Sequence, residues 1–248
     1  MSIFYKKDNK KILELELNKL MDSKIYFGPF TGLKIPDNVL HLLTISEKLG
    51  LYESCLHKHI GALVNSNIKN IIQVGGNNGY YSAGLAHIFR PQKIIVYEIS
   101  RYFDQFIKPW FTLNEIDGLE IRGKADNESF QQIGDEDRVD FLFIDCEGAE
   151  IDLLNPQKFK WQLNADIIVE IHPFYEPLII SELSRKFRDT HTIKIVYDDF
   201  KEDRKIDKIL KGINVDINYA KHPTHRWIGE VDNKIFTSGI FMVLKQKK

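Results

Sequence analysis

The chain has 248 residues, 43% of them hydrophobic and 28% charged, which is enough to bury the core of one large α/β domain with an additional segment. Its 34 basic and 35 acidic residues nearly cancel, so no overall field draws it to nucleic acid or to an anionic membrane, and a small-molecule partner is favoured. The two cysteines, Cys55 and Cys146, form no CxxC pair, which indicates neither a disulfide framework nor a structural zinc site and fits a reducing cytoplasm.

The first residues lack the apolar core of a signal peptide, and no apolar run approaches the ~20 residues that a membrane span needs. We therefore expect a soluble, cytoplasmic protein. Residues 1–66 are predicted to form an N-terminal helical and hairpin extension. The elements expected in it are an amphipathic helix over 6–22, a β-hairpin over 24–36 and two helical patterns over 38–48 and 52–65, broken at Gly50.

Residues 67–248 are predicted to form one α/β domain, because strand and helix patterns alternate from residue 70 onward. Such an alternation predicts a parallel sheet covered by helices. Seven strands are expected, over residues 70–74, 93–98, 119–122, 139–145, 165–171, 192–197 and 239–245.

An apolar run that ends at Val74 is followed by Gly75, Gly76 and Gly79 and then by helical spacing, which predicts a strand, a tight turn and a helix. In open α/β sheets the turn after the first strand lines the ligand crevice at a strand-order switch point. Val74 stands where the dinucleotide pattern Gly-x-Gly-x-x-Gly requires its first glycine, which weakens that interpretation. The turn therefore predicts either a site for a nucleotide-like ligand or a plain connection without one.

Glu98 ends the second predicted strand, about twenty residues after the glycine turn, where a carboxylate can accept both hydroxyls of a ribose. An ordinary exposed strand-end carboxylate is the alternative. NAD and S-adenosylmethionine both carry a ribose, so Glu98 does not separate these two cofactors.

Three carboxylates, Asp145, Glu147 and Glu150, follow the fourth predicted strand. A negatively lined site favours the positive sulfonium of S-adenosylmethionine, whereas it would repel the pyrophosphate of NAD. Glu147 and Glu150 could instead complement the dipole of a helix N-terminus, but that alternative does not explain Asp145. The acidic residues therefore favour S-adenosylmethionine over NAD.

The chain resembles the FkbM family of S-adenosylmethionine-dependent methyltransferases through four blocks in the family's order: Ile-Gln-Val-Gly-Gly-Asn-Asn-Gly-Tyr-Tyr, Val-Tyr-Glu, Phe-Ile-Asp-Cys-Glu-Gly-Ala-Glu and Ile-Val-Glu-Ile-His. The resemblance covers residues 67–175, and the Asp-x-Glu-Gly-x-Glu block is its most specific part. It implies a Rossmann-like class I methyltransferase fold, an α/β fold with a seven-stranded, mostly parallel sheet whose last strand is antiparallel. It also implies O-methylation of a sugar or a related small molecule.

By motif match, the resemblance implies that S-adenosyl-L-methionine lies along the glycine turn, with its ribose at Glu98 and its adenine near Ala125. Gln73 stands where the family usually has an acidic residue, so the contact expected there with the methionine ammonium must come from an amide oxygen or from elsewhere. The cofactor-binding residues implied in this way are Gln73, Gly75, Gly76, Asn77, Gly79, Tyr80, Glu98, Ala125 and Asp145.

Methylation of a hydroxyl with a pKa of about 15 needs a base, a metal or close positioning, because such a hydroxyl is a poor nucleophile. His172 follows the fifth predicted strand and should lie at the same sheet edge as Asp145, so we expect His172, Asp145 and Glu147 to be catalytic. Asp145 with Glu147 or Glu150 could instead hold Mg²⁺. We favour the metal-free reaction and assign no metal ligand.

A predicted loop between the last two strands contains His222, His225, Arg226 and Trp227, whose rings and charge are typical of a site for a polar acceptor, expected to be a carbohydrate. A plain surface loop is the alternative. Two other functions stay open, a NAD-dependent sugar oxidoreductase or epimerase and a non-catalytic binding protein that retains the fold. The oligomeric state is not indicated.

Overall fold

A computed structural model of the chain describes residues 22–134, 138–199, 201–212, 228–231, 234–237 and 239–247. The amphipathic helix predicted over 6–22, apart from its last residue, lies outside these residues. So do His222, His225, Arg226 and Trp227, the predicted acceptor-binding residues. Their roles stay predictions.

The helices of the described residues are α1 (Ile45–Leu49), α2 (His57–Gly61), α3 (Tyr80–Phe89), α4 (Arg101–Leu113), α5 (Asn127–Gln131), α6 (Glu150–Leu153), α7 (Ile179–Phe187) and α8 (Glu202–Gly212). The strands are β1 (Asn70–Val74), β2 (Lys93–Tyr97), β3 (Leu119–Arg122), β4 (Phe141–Ile144), β5 (Asp166–Glu170), β6 (His191–Tyr197), β7 (Ile228–Val231), β8 (Lys234–Thr237) and β9 (Ile240–Gln246). Among the helices of the described residues, none combines the length and the hydropathy needed to cross a membrane.

Seven strands form one sheet in the order β3-β2-β1-β4-β5-β9-β6. Strands β1 to β5 pair in parallel, whereas β9 is antiparallel to both β5 and β6. This is the class I methyltransferase arrangement, so the predicted fold is confirmed. Strands β7 and β8 pair with each other in a separate antiparallel sheet that the sequence patterns did not predict.

The sheet is buried on both faces, which explains why its central strands are nearly continuous apolar runs. Successive side chains of a strand point to opposite faces. On one face Ile71 and Phe141, which are register partners, join a buried cluster with Trp110 of α4. On the other face Ile72 joins a second buried cluster with Phe187 of α7. Helices therefore pack on both sides of the sheet.

Residues 22–66 contain less regular structure than the sequence predicted. The expected hairpin is reduced to one antiparallel bridge between Lys24 and Lys34. The expected helix over 38–48 is limited to α1, because Thr44 caps its N-terminus and Gly50, with φ of 70°, ends it in the left-handed conformation. The pattern over 52–65 is a 3₁₀ turn at Ser54–Leu56 followed by α2.

The segment before β1 nevertheless packs on the sheet. Ile25, Phe30 and Leu33 are buried in the same cluster as Phe141 of β4. The Phe30 ring meets the Tyr80 ring edge-on with 5.3 Å between centroids. The division into an extension over 1–66 and a methyltransferase domain over 67–248 stays a prediction.

The topology brings the carboxyl ends of β1, β2, β4 and β5 to one edge of the sheet. From β1 the chain builds outward first to β2 and β3 and then, in the opposite direction, to β4 and β5. The strand order therefore reverses between β1 and β4, and such a switch point leaves a crevice at the strand ends.

Candidate functional site

A cavity of about 330 Å³ occupies the crevice at the strand-order switch point. This volume lies in the range of small-molecule sites. Its walls come from the turns after β1, β2, β3 and β4 and from one residue each of α4 and α6. The predicted cofactor residues that line it are Gly75, Asn77, Glu98, Ala125 and Asp145.

The glycine turn lies against the end of β4. Gly75 has φ of 88°, and its N–H donates to the Tyr97 carbonyl at 2.9 Å. A Cβ at Gly75 would collide with the backbone carbonyl oxygen of Asp145. Only glycine therefore lets the turn after β1 approach the end of β4 this closely.

Glu98 is buried at the end of β2, with 8% of its surface exposed. Its Oε2 accepts the N–H of Asn77 and its Oε1 accepts the N–H of Ser100, both at 2.8 Å. Each carboxylate oxygen has a further lone pair, and Glu98 lines the cavity. Glu98 can thus support the glycine turn and still accept hydrogen bonds from a ligand.

Gln73, which replaces the usual acidic residue of the family motif, is buried beneath the turn with 1% of its surface exposed. Its Nε2 donates to the Gly75 carbonyl at 2.9 Å. Its Oε1 has no hydrogen-bond partner among the described residues. The residues that line the cavity include Gly75 but not Gln73, so Gln73 contacts the cavity wall by its hydrogen bond to Gly75.

Tyr80 was expected to bind the cofactor, but the cavity wall as described does not include it. Its ring is 3% exposed and packs edge-on against Phe30, Tyr52 and Tyr81. Ala125 does line the cavity, together with Ile99 and Phe103. These three apolar side chains offer a surface for a flat ring.

The three predicted catalytic residues lie together at the ends of β4 and β5. The Nε2 of His172 is 3.9 Å from Oδ1 of Asp145 and 3.4 Å from Oε2 of Glu147. The His172 side chain is 9% exposed, the Asp145 side chain 35% and the Glu147 side chain 74%. Asp145 and Glu147 also line the cavity, so the cluster opens into it.

For Glu150 the sequence left open a helix-start charge and a metal ligand. In the structure Glu150 is the first residue of α6, and its buried side chain orients His172. Its Oε1 is 2.6 Å from Nδ1 of His172 and accepts the N–H of Gly148 at 3.1 Å. Its Oε2 has no hydrogen-bond partner among the described residues. The carboxylate fixes the ring, which directs Nε2 toward Asp145 and Glu147.

The charges in this cluster shift one another's titration. Burial disfavours a charged His172 ring, but the hydrogen bond that the ring donates to Glu150 and the surrounding carboxylates outweigh this effect and raise the pKa of His172 to about 9. Partial burial raises the pKa of Asp145 to about 6, although His172 opposes the rise. Burial and the charge of Asp145 raise the pKa of Glu170 to about 8. In the free protein His172 is therefore a proton donor at neutral pH.

A family model described as "Methyltransferase FkbM domain" matches residues 112–188. The resemblance predicted from the four sequence blocks is confirmed, and this part of the chain contains Asp145, Glu147, Glu150 and His172. The match does not extend over the glycine turn. No curated protein matches the chain.

Solved structures with a similar backbone fold have low sequence identity to this chain. One is a spermidine synthase from Thermotoga maritima, with 13% identity over 79% of this chain and 60% of that one and a TM-score of 0.48. Another is an rRNA methylase from Streptococcus thermophilus, with 9% identity over 77% of this chain and 96% of that one and a TM-score of 0.49. An O-methyltransferase from Bacillus cereus in complex with SAH is also similar, with 17% identity over 84% of this chain and 90% of that one and a TM-score of 0.43. The chain spans about three fifths of the length of the spermidine synthases that it matches.

Proposed function

We propose that this protein is an S-adenosylmethionine-dependent methyltransferase that acts on a hydroxyl of a small molecule, with a carbohydrate as the acceptor class. The observation that carries the proposal is the cavity at the strand-order switch point, whose wall includes both the glycine turn with Glu98 and the carboxylates of Asp145 and Glu147. A cofactor and a reacting group can thus meet in one space.

The donor set of the cavity fits S-adenosylmethionine. Glu98 keeps lone pairs for ribose hydroxyls, and Ala125 with Phe103 offers an apolar surface for adenine. When bound, the cofactor supplies a methyl group on a positively charged sulfonium. Asp145 and Glu147 add negative charge to the same wall, which favours the sulfonium over its neutral thioether product.

We assign the acceptor hydroxyl to the space beside Asp145 and His172. With the cofactor bound, its methyl group would exchange the bond to sulfur for a bond to the acceptor oxygen, and Asp145 would take up the hydroxyl proton on a carboxylate oxygen. His172 holds the acceptor oxygen by a hydrogen bond from Nε2, and Glu150 fixes the ring for that task. Glu147 is the third residue that we propose to contact the acceptor.

A carbohydrate is supported by an aromatic face beside the cluster. The Tyr175 ring is 56% exposed and its centroid is 6.4 Å from that of His172. Sugar rings present C–H faces that pack on aromatic rings while their hydroxyls bind polar groups. Tyr175 with His172 and Asp145 offers both kinds of contact, and the residues predicted over 222–227 would add to them.

The test begins with calorimetric titration of the purified protein with S-adenosylmethionine and, separately, with NAD. Binding of the first without the second supports the proposal, and the reverse result would favour a sugar oxidoreductase. Transfer of labelled methyl to a panel of monosaccharides, sugar nucleotides and non-carbohydrate alcohols follows. Binding without transfer to any acceptor would favour a binding protein that retains the fold.

A further inference from the structure

We propose that Asp145, Glu147 and His172 form a site for one divalent metal ion. These residues come from the ends of two neighbouring strands, and one ligand atom from each lies within 4.8 Å of the other two. Binding of the ion does not depend on the proposed function, although its consequence for methyl transfer does. The proposal replaces the metal-free preference that the sequence supported.

The spacing of the ligand atoms matches coordination to a shared ion better than direct contact. Nε2 of His172 is 3.4 Å from the Glu147 oxygen and 3.9 Å from the Asp145 oxygen, both longer than a good charge-assisted hydrogen bond. Two ligands each about 2.1 Å from one metal ion stand about 3.0 to 3.4 Å apart at octahedral or tetrahedral angles, and farther apart at wider angles. A single cation between the three groups would satisfy both distances.

The histidine ring is held in the orientation that a metal ligand needs. His172 is 8% exposed, and its Nδ1 is bound to the buried carboxylate of Glu150 at 2.6 Å. This arrangement leaves Nε2 facing Asp145 and Glu147. Metal-binding histidines characteristically donate their second ring N–H to a carboxylate in this way, which fixes the tautomer. Glu150 is thus the supporting residue of the proposed site.

The site has an entry path and room for further ligands. Asp145 and Glu147 both line the cavity, so an ion held by them keeps coordination positions open toward the cavity. Two adjacent hydroxyls of an acceptor could occupy those positions. If the proposed function holds, the ion would replace the metal-free roles given above to Nε2 of His172 and to Asp145, because both would then be ligands of the ion. The ion would activate the acceptor by lowering the pKa of the hydroxyl that receives the methyl group.

The ligand types indicate the class of ion. An imidazole nitrogen suits transition metals, whereas carboxylate oxygens suit Mg²⁺, Ca²⁺ and Mn²⁺. One nitrogen with two carboxylates therefore favours a divalent ion that accepts both, and Mn²⁺ is the clearest probe of this class. We expect Mn²⁺ to bind more tightly than Mg²⁺ or Ca²⁺.

The test is titration of the full chain with Mn²⁺, followed by the electron paramagnetic resonance signal of the free ion, in the absence of S-adenosylmethionine and acceptor. One ion per chain is expected. Glu147→Gln should weaken binding on the order of tenfold or more, since even loss of a supporting residue has about this effect. The Glu147 side chain is 74% exposed, so this change should leave folding intact. Asp152→Asn, at an exposed carboxylate of α6, is the matched control and should bind Mn²⁺ as the natural protein does.

Two results would overturn the proposal. Absence of Mn²⁺ binding at millimolar concentration is one. The other is equal affinity of the natural protein, Glu147→Gln and Asp152→Asn, which would indicate an adventitious ion only. This titration uses the metal alone, so a failure of methyl transfer would not contradict the metal site. Methyl transfer without Mn²⁺ binding would contradict the metal site but not the proposed function.

Discussion

The Glu98 carboxylate accepts the backbone N–H of Asn77 at 2.8 Å, so the end of β2 supports the turn that follows β1. Asn77 itself has φ of 42°, a conformation that is uncommon outside glycine, and this hydrogen bond stabilises it. The residue predicted to bind a ribose therefore also shapes the glycine turn. Its substitution should act on both.

Glu98→Ala should weaken S-adenosylmethionine binding roughly thirty-fold or more, on the order of 2 to 4 kcal/mol, because charge-assisted hydrogen bonds to the ribose are lost. Glu98→Gln keeps one carbonyl oxygen, so its affinity for S-adenosylmethionine should lie between those of the natural protein and of Glu98→Ala. The measurement is calorimetric titration, with Glu115→Ala, at an exposed residue after α4, as the control. Unchanged affinity in Glu98→Ala would remove this residue from the cofactor site.

Gln73→Leu should weaken S-adenosylmethionine binding about fivefold, on the order of 1 kcal/mol, because the Gly75 carbonyl loses the amide that fixes it. Gln162 offers a matched control. It is fully buried, donates from Nε2 to the Leu153 carbonyl at 2.7 Å and also has an Oε1 without a partner among the described residues. Gln162→Leu should change the free energy of unfolding without the same loss of cofactor affinity. Equal affinities of the two variants would contradict a specific role for Gln73.

Gly75→Ala should lower the free energy of unfolding by on the order of 2 kcal/mol or more, since the added Cβ meets the Asp145 carbonyl and the backbone has positive φ. Gly32 has φ of 86° but no atom within 4 Å of an added Cβ. Gly32→Ala therefore isolates the backbone effect and should destabilise less. Chemical denaturation of both variants measures the difference, and equal losses would argue against the close approach of β1 and β4.

Protonation of His57 should destabilise the protein below neutral pH. Burial and the charge of Lys205 lower the pKa of His57 from 6.5 to about 4, so the folded protein keeps this ring neutral. Its contribution to stability is complete above pH 6.5 and is lost as the pH falls toward 4, because the unfolded chain takes up the proton first. We expect a loss on the order of 2 kcal/mol over this interval, less than a fully buried ring would give.

The check is the free energy of unfolding at pH 7 and pH 5 for the natural protein and for His57→Gln. The difference between the two proteins should shrink on acidification, because glutamine has no proton to take up. A difference that is independent of pH would show that His57 does not contribute to acid sensitivity.

The seven sheet strands and the glycine turn after β1 could be predicted from the sequence because their signals are local. Apolar runs of strand length, the glycines after Val74 and the carboxylate of Glu98 are each read within a few residues. The alternation of strands with helices then predicts a parallel sheet. In a parallel sheet the carboxyl ends of the strands meet at one edge. For the same reason the FkbM resemblance rests on short blocks at those ends.

The tertiary structure decided what depends on distant contacts. Glu150 and His172 are 22 residues apart, and only the pairing of β4 with β5 brings them to 2.6 Å. Burial and the neighbouring carboxylates then set the charge of His172, and this charge cannot be predicted from the position of His172 in the sequence. Likewise Tyr80 follows the glycine turn in sequence, but the packing of Phe30 draws its ring into the core. Local sequence thus determined where the strands and their turns lie, whereas the charge and orientation of the side chains at their ends arose from contacts between segments far apart in the chain.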